Sequence, residues 1–139
     1  MPIQKLFAGI DAASSALGAE RLRITAASEN LAHAGSTKKL ENGLPYARQR
    51  VVFEEVLDAR GQATGAVRAE VVDSPRYFER YDPNHPDADP ETGIVVESEI
   101  NPVLELTDLT IATRAYEANT NAIKGMMRLH EQALRLGEV

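Results

Sequence analysis

The sequence predicts an α+β fold in which two long terminal helices pair as an antiparallel coiled coil, with a small, mainly antiparallel β domain inserted between them. Three observations predict it. A seven-residue apolar repeat runs from Ile3 to Ala34, an apolar stripe at steps of three and four runs from Leu106 to Leu134, and the segment between them shifts toward the two-residue alternation of strands. The division that follows is residues 1–37 as an N-terminal coiled-coil helix, 38–100 as loop and small β domain, and 101–139 as a C-terminal coiled-coil helix. The first and last of these form one discontinuous helical domain.

The N-terminal repeat places Ile3, Ile10, Leu17, Ile24 and Leu31 at one seam position and Leu6, Ala13, Glu20, Ala27 and Ala34 at the other. Two apolar positions per heptad define the seam of a coiled coil, and an ordinary surface helix would drift toward a 3.6-residue period instead. Glu20 interrupts the seam. Gly35-Ser36-Thr37 is expected to end the helix, and Lys38 to Pro45, with Gly43 and Pro45, reads as loop.

In the middle, Arg48 to Leu57 and Ala66 to Val72 are Val-rich and partly alternating, with Gly61 to Gly65 between them, which predicts a β-hairpin. Tyr77 to Tyr81 reads as a third short strand. Asp82 to Pro90 carries Pro83, Pro86 and Pro90 and is an irregular loop, after which Gly93 to Val96 returns as an edge strand.

The C-terminal stripe comprises Leu106, Leu109, Ala112, Thr113, Tyr116, Asn119, Ile123, Met126, Met127, His130, Ala133 and Leu134. Asn101-Pro102 marks its start, since Asn accepts from free first-turn amides and proline at the first helical position has no amide to leave unpaired. Gly137 marks its stop. About 35 residues at ~1.5 Å each make a rod of roughly 50 Å, longer than a domain of this size needs for itself.

Composition excludes several classes. The 139 residues are 43% hydrophobic but only 5% aromatic, with no Cys and no Trp. Disulfide scaffolds and thiolate chemistry are therefore out, and the lack of Cys suits an oxidising compartment such as the periplasm. No apolar run approaches a membrane span, and no cleaved secretory signal is evident at the start of the sequence, so export without cleavage is expected. The net charge of −6 is uneven: residues 1–44 sum to +1, residues 45–101 to −6 and residues 102–139 to −1. No basic face is dense enough for nucleic acid.

Chemistry-bearing clusters are few. Asp82, His85, Asp87 and Asp89 share one loop, but the prolines set turn geometry and the spacing is not that of a calcium loop, so turn-capping carboxylates are the expectation and no metal site is assigned. His33 and His130 lie on helical stripes as packing residues. No nucleophile has a base, and no glycine-rich phosphate loop or nucleotide motif is present, so neither catalytic nor cofactor-binding residues are assigned. Arg114 and Glu117, three apart on a helix, are able to pair locally. Asn119 beside the apolar stripe is a polar seam residue of the kind that fixes register or partner choice.

Taken together, Ser15-Ala-Leu17, Ala19-Glu-Arg-Leu-Arg23 and Asn30-Leu-Ala32, then Gly43-Leu-Pro-Tyr46 and Val51-Val-Phe53, and finally Arg114-Ala-Tyr-Glu-Ala-Asn119, resemble the flagellar basal-body rod protein family of bacteria, in that order along the chain. Tyr81-Asp-Pro-Asn-His-Pro-Asp-Ala88 resembles the loop signature of its C-type proximal rod branch. Departures are His33 for a second Asn, Ile94 for Tyr, Ser98-Glu-Ile-Asn101 for Pro-Asn-Val-Asn, and Leu106 for Met; all keep helical or strand character. The resemblance implies a structural subunit of the proximal rod, with no enzymatic activity and no cofactor. It implies export through the flagellar type III apparatus and packing with other rod proteins and copies of itself into a helical drive shaft across the periplasm. The basal-body ring and the export gate are further candidate neighbours.

The residues expected at subunit interfaces are Ile3, Leu6, Ile10, Leu17, Ile24, Asn30 and Leu31 in the first helix and Leu109, Arg114, Tyr116, Glu117, Asn119, Ile123, Met127 and Leu134 in the last. The alternatives are another proximal rod subunit type, a coiled-coil adaptor or export chaperone forming a closed complex, and a small metal-dependent hydrolase using the Asp82 to Asp89 loop.

Overall fold

The computed structural model describes residues 2–137, with side chains from Phe7 to Leu136. Six elements follow in order: α1 (Pro2–Ala32), β1 (Gln49–Leu57), β2 (Ala63–Asp73), β3 (Tyr77–Tyr81), β4 (Ile94–Ser98) and α2 (Pro102–Gly137). The fold is the α+β arrangement that the periodicities predict.

The helices run antiparallel, which four pairs show. Phe7 lies 6.1 Å from His130 between ring centroids, and a Cβ built on Gly9 would sit 3.1 Å from Met126 Sδ. Arg23 reaches Asp108, and Asn30 reaches Glu105. Numbers rise on one helix as they fall on the other. What the pair buries fully is small: among the described residues, Ala19, Ala26, Ala27 and Ala112 are the buried apolar residues of the two helices. Alanine at the contact lets backbones approach closely but removes little apolar surface from water, so the seam gains less than a Leu-lined one would.

Asn101 caps α2 as its sequence suggests, its Oδ1 accepting from Val103 N at 3.0 Å and Leu104 N at 3.4 Å. The first helix ends sooner than Gly35-Ser36-Thr37: α1 stops at Ala32, and Gly35 follows in the left-handed region at φ 70°. Ala34 is thereby outside the helix.

The β part consists of two separate antiparallel hairpins. β1 pairs with β2 in the register Val51↔Val71, Phe53↔Ala69 and Glu55↔Val67, with an irregularity between Glu55 and Leu57. β4 pairs with β3, from Tyr77↔Ser98 to Tyr81↔Ile94, and does not extend the first sheet. The β1–β2 hairpin lies along α1. Val67 N donates to Ser15 Oγ at 3.0 Å, Arg23 lies 6.0 Å over the Phe53 ring, and a Cβ on Gly65 would meet Ala12 Cβ at 3.7 Å. In the second hairpin Val95 is fully buried, whereas Phe78 and Tyr81 are exposed.

The C-terminal stripe needs one correction. Leu106, Thr113, Tyr116, Met127, Ala133 and Leu134 are exposed, and the positions turned to α1 are Glu105, Leu109, Ala112, Asn119, Ile123, Met126 and His130. Steps of three and four alone admitted twelve positions, which span more of the helix circumference than a single partner helix covers.

Candidate functional site

Where the two helices meet the β part, a buried polar cluster joins four segments of chain. Asn30, 1% exposed, sits in the last turn of α1. Its Nδ2 donates to Gln49 O at 2.7 Å and to Glu105 Oε2 at 3.0 Å, and its Oδ1 accepts from Gln49 N at 2.8 Å and Tyr46 OH at 3.1 Å. Glu105, 2% exposed, lies in the first turn of α2, where a negative charge also faces the positive end of the helix dipole. Its Oε1 accepts from Arg48 Nε at 2.7 Å. A carboxylate so deeply buried is tolerated because it is paired and fully hydrogen-bonded. Among the described residues no buried side-chain nitrogen or oxygen lacks a partner.

The cluster extends outward. Ser98 Oγ donates to Tyr46 O at 2.6 Å, Ser98 N donates to Ser36 O at 2.9 Å, and Gly35 N donates to Ser98 O at 3.3 Å, tying β4 to the turn after α1. His33 stacks on Tyr46 with ring centroids 4.3 Å apart and planes 14° apart, which is the packing role expected of it. Burial, then the nearby charges of Glu29, Asp73 and Glu105, push the Tyr46 phenol up to about 12.

A second ionic group lies nearby on the helix pair, with Arg23 bonded to Asp108 and, at 3.3 Å, to Glu20. The hydrogen bond to Asp108 leads in raising the Arg23 guanidinium above its ordinary value. Glu20, which looks like a fault in the heptad, is thus one arm of an ion-pair group bridging α1 and α2.

The Asp82 to Asp89 loop is built by caps. Asp89 Oδ1 accepts from Glu91 N at 2.8 Å and Thr92 N at 3.2 Å, and these amides hold its carboxyl below the ordinary carboxylate range. Asp87 Oδ2 accepts from Thr37 Oγ1 at 2.7 Å, and Asp87 N donates to His85 Nδ1 at 3.1 Å. Each carboxylate is turned to a different neighbour, and among the described residues no three His, Asp or Glu converge on one point.

The expected interface residues fall into distinct settings. Ile10, Leu17, Ile24 and Leu31 are half-buried on α1, as are Leu109, Asn119 and Ile123 on α2. Arg114, Tyr116, Glu117, Met127 and Leu134 are exposed, and Arg114 makes no ion pair with Glu117. Ile3 and Leu6 lie outside the residues whose side chains are described. Asn30 is a correction: its side chain is spent inside the subunit and is not presented to a neighbour. Sequence reasoning missed Glu105 and Arg48 as a pair. One looks like an ordinary helix-start acid and the other like a strand-end cation, 57 residues apart.

The sequence that builds these elements is similar to that of a known group of proteins. The chain is 35% identical to the flagellar basal-body rod protein FlgC of Borreliella burgdorferi, over 94% of its own length and 97% of the relative's. It is 34% identical to FlgC of Bacillus subtilis, covering 95% and 98%, and 35% identical to FlgC of Salmonella typhimurium, covering 92% and 95%. The chain belongs to the FlgC family of flagellar basal-body rod proteins. Residues 91–136, from the return strand β4 through most of α2, also match the family described as flagellar basal body rod FlgEFG protein C-terminal. The matched region contains Ser98 and Glu105, two members of the polar junction.

Proposed function

We propose that this chain is a structural subunit of the proximal rod of the bacterial flagellar basal body, working by assembly with other rod proteins and with copies of itself. The observation that carries the reading is the inversion of its apolar surface. Among the described residues, alanines form the fully buried part of the contact between the helices, while Leu104, Leu106, Ile111, Met127, Leu129, Leu134 and Leu136 on α2 are more than half exposed. Burying one such side chain is worth about 1.5–3 kcal/mol, so on the order of 10 kcal/mol remains ungained until neighbours cover α2. A family of basal-body rod proteins supplies the neighbours, and unlike faces in contact generate an open helical stack.

In this arrangement residues 1–37 and 101–139 form one discontinuous helical body at the inside of the tube, and the acidic part, residues 38–100, is turned outward. Leu109, Arg114, Tyr116, Glu117, Asn119, Ile123, Met127 and Leu134, with the α1 seam residues, contribute to subunit contacts. The subunit reaches the periplasm through the flagellar export apparatus, with the ring and the export gate as further candidate neighbours. The reading is tested with a deletion strain. Loss of completed hooks and of swimming, with the earlier rings still present, is the expected result, and normal swimming contradicts it. Sedimentation separates it from the adaptor alternative, which requires a closed dimer or a 1:1 complex.

A further inference from the structure

The outward side of α2 carries a second apolar line that the subunit leaves bare. Leu104, Ile111, Ala118, Ala122, Leu129 and Leu136 recur at steps of seven and four, and the four large ones are 52–79% exposed. That is the spacing of a helix seam without its partner helix. The line spans 32 residue steps, roughly 48 Å at helical rise, so an occupant that covers it must be about as long. β2, the longest strand, has 11 residues and reaches only about 36 Å, whereas α1 has 31 residues and reaches about 46 Å.

Charge narrows the choice further. On the outward side of α2 the free charges are Arg114, Lys124 and Arg128 against Glu117, since Arg135 is bonded to Glu131. A second α2 laid on this face would bring cations against cations. The outward face of α1 has the opposite sign: Asp11 and Glu29 against Arg21 are exposed, and none is in an ion pair among the described residues. Phe7 and Leu22 are exposed beside them, and a Cβ on Gly18 would meet nothing within 4 Å, so this face has apolar anchors and room for large side chains.

We infer that the bare line of α2 in one subunit docks along the outward face of α1 in a second copy of this chain, with Arg114 and Arg128 placed against Asp11 and Glu29. The inference rests on the rod reading and specifies which face meets which. Joining unlike faces, the contact propagates from copy to copy and does not close into a pair.

The absence of Cys allows a direct test. Two single-Cys chains are produced together in a strain lacking the native gene, one carrying Ile111→Cys or Leu129→Cys, the other Ser14→Cys, Gly18→Cys, Leu22→Cys or Thr25→Cys. Swimming of that strain reports that the chains assemble. Oxidation is expected to give mixed disulfide-linked dimers in which an α1 position joins an α2 position. The inference is overturned if α2 positions link only to each other or to a different protein, or if swimming cells give no mixed product. A charge exchange supplies the second arm. Arg114→Glu with Arg128→Glu in the chain that carries the α2 cysteine should lower the mixed product at least tenfold, and Asp11→Lys with Glu29→Lys in the chain that carries the α1 cysteine should restore it; no loss, or no restoration with helix content unchanged in both chains, also overturns it. Normal swimming with the gene deleted would instead remove the rod reading itself, whereas swimming cells with no mixed product remove only the assignment of faces.

Discussion

Asn30 Nδ2 donates to Glu105 Oε2 at 3.0 Å, a bond across 75 residues of sequence that joins the last turn of one helix to the first turn of the other. Because Glu105 also holds Arg48 and Asn30 also holds both backbone groups of Gln49, neither residue can be removed without stranding buried partners. Glu105→Ala is expected to cost about 3 kcal/mol, since Arg48 and Asn30 both lose their acceptor, and Glu105→Gln about 1–2 kcal/mol. Urea unfolding gives the comparison, and equal midpoints for both variants and the parent would show the cluster to be energetically idle.

Gly93 stands at φ 69° after the proline-rich loop, and a Cβ there would lie 2.9 Å from Tyr81 Cε2 and 3.1 Å from Pro83 Cβ. Gly93→Ala combines backbone strain with crowding against the rigid Pro83, the exposed Tyr81 ring being free to swing aside, for a loss of about 1–2 kcal/mol. The same substitution at Gly18, helical and open, should instead be neutral or stabilising by up to about 1 kcal/mol. Thermal unfolding of the two variants side by side measures the contrast.

Tyr46 sets an alkaline limit. Its phenol titrates at about 12 when folded against an ordinary value of 10.0, so the folded state holds its proton where the unfolded state releases it. Stability from this group is therefore complete below pH 10 and declines as pH rises from 10 to 12. Absorbance titration should show one of the four tyrosines ionising late, and Tyr46→Phe should remove that late step and flatten the alkaline decline. An unchanged late step in Tyr46→Phe would assign it elsewhere.

Protection from hydrogen exchange should be graded along the helix pair. Ala19, Ala26, Ala27, Asn30, Glu105 and Ala112 are buried toward the polar cluster, while residues 131–136 are all exposed. In dilute monomer, amides around Ala26 and Ala112 should exchange at least a hundredfold more slowly than those of residues 127–134. Uniform protection from one end of α2 to the other would mean that the lone subunit already completes its own core.

Which of these features the sequence discloses depends on how local their cause is. Asn101-Pro102 starts α2 as read, because a cap and its first-turn amides are sequence neighbours. The hairpin around Gly61 to Gly65 is legible for the same reason, Gly61 holding φ 74° at its turn. The seam of α2 is less legible, since Leu106, Met127 and Leu134 satisfy the same spacing as Leu109, Ile123 and Met126, and only the direction of α1 separates them. Glu105 with Arg48 is not legible at all: their meeting is decided by where β1 enters beside both helices, a long-range fact with no periodic trace. Asn30 shows the intermediate case, recognised as a motif residue but assigned to an outer contact when its partners are all internal.

The turn linking α1 to the rest of the chain has a mechanical consequence. Gly35 and Ser36 bond to Ser98, Ser98 to Tyr46 and Tyr46 to Asn30, so both helix bases and both hairpins converge on a single joint. Rotation imposed on either helix is handed to the other and to the strands without a slack tether to soak it up. Loaded from the side, such a unit behaves as a stiff bracket, and whatever compliance a stack of them possesses must reside between the brackets.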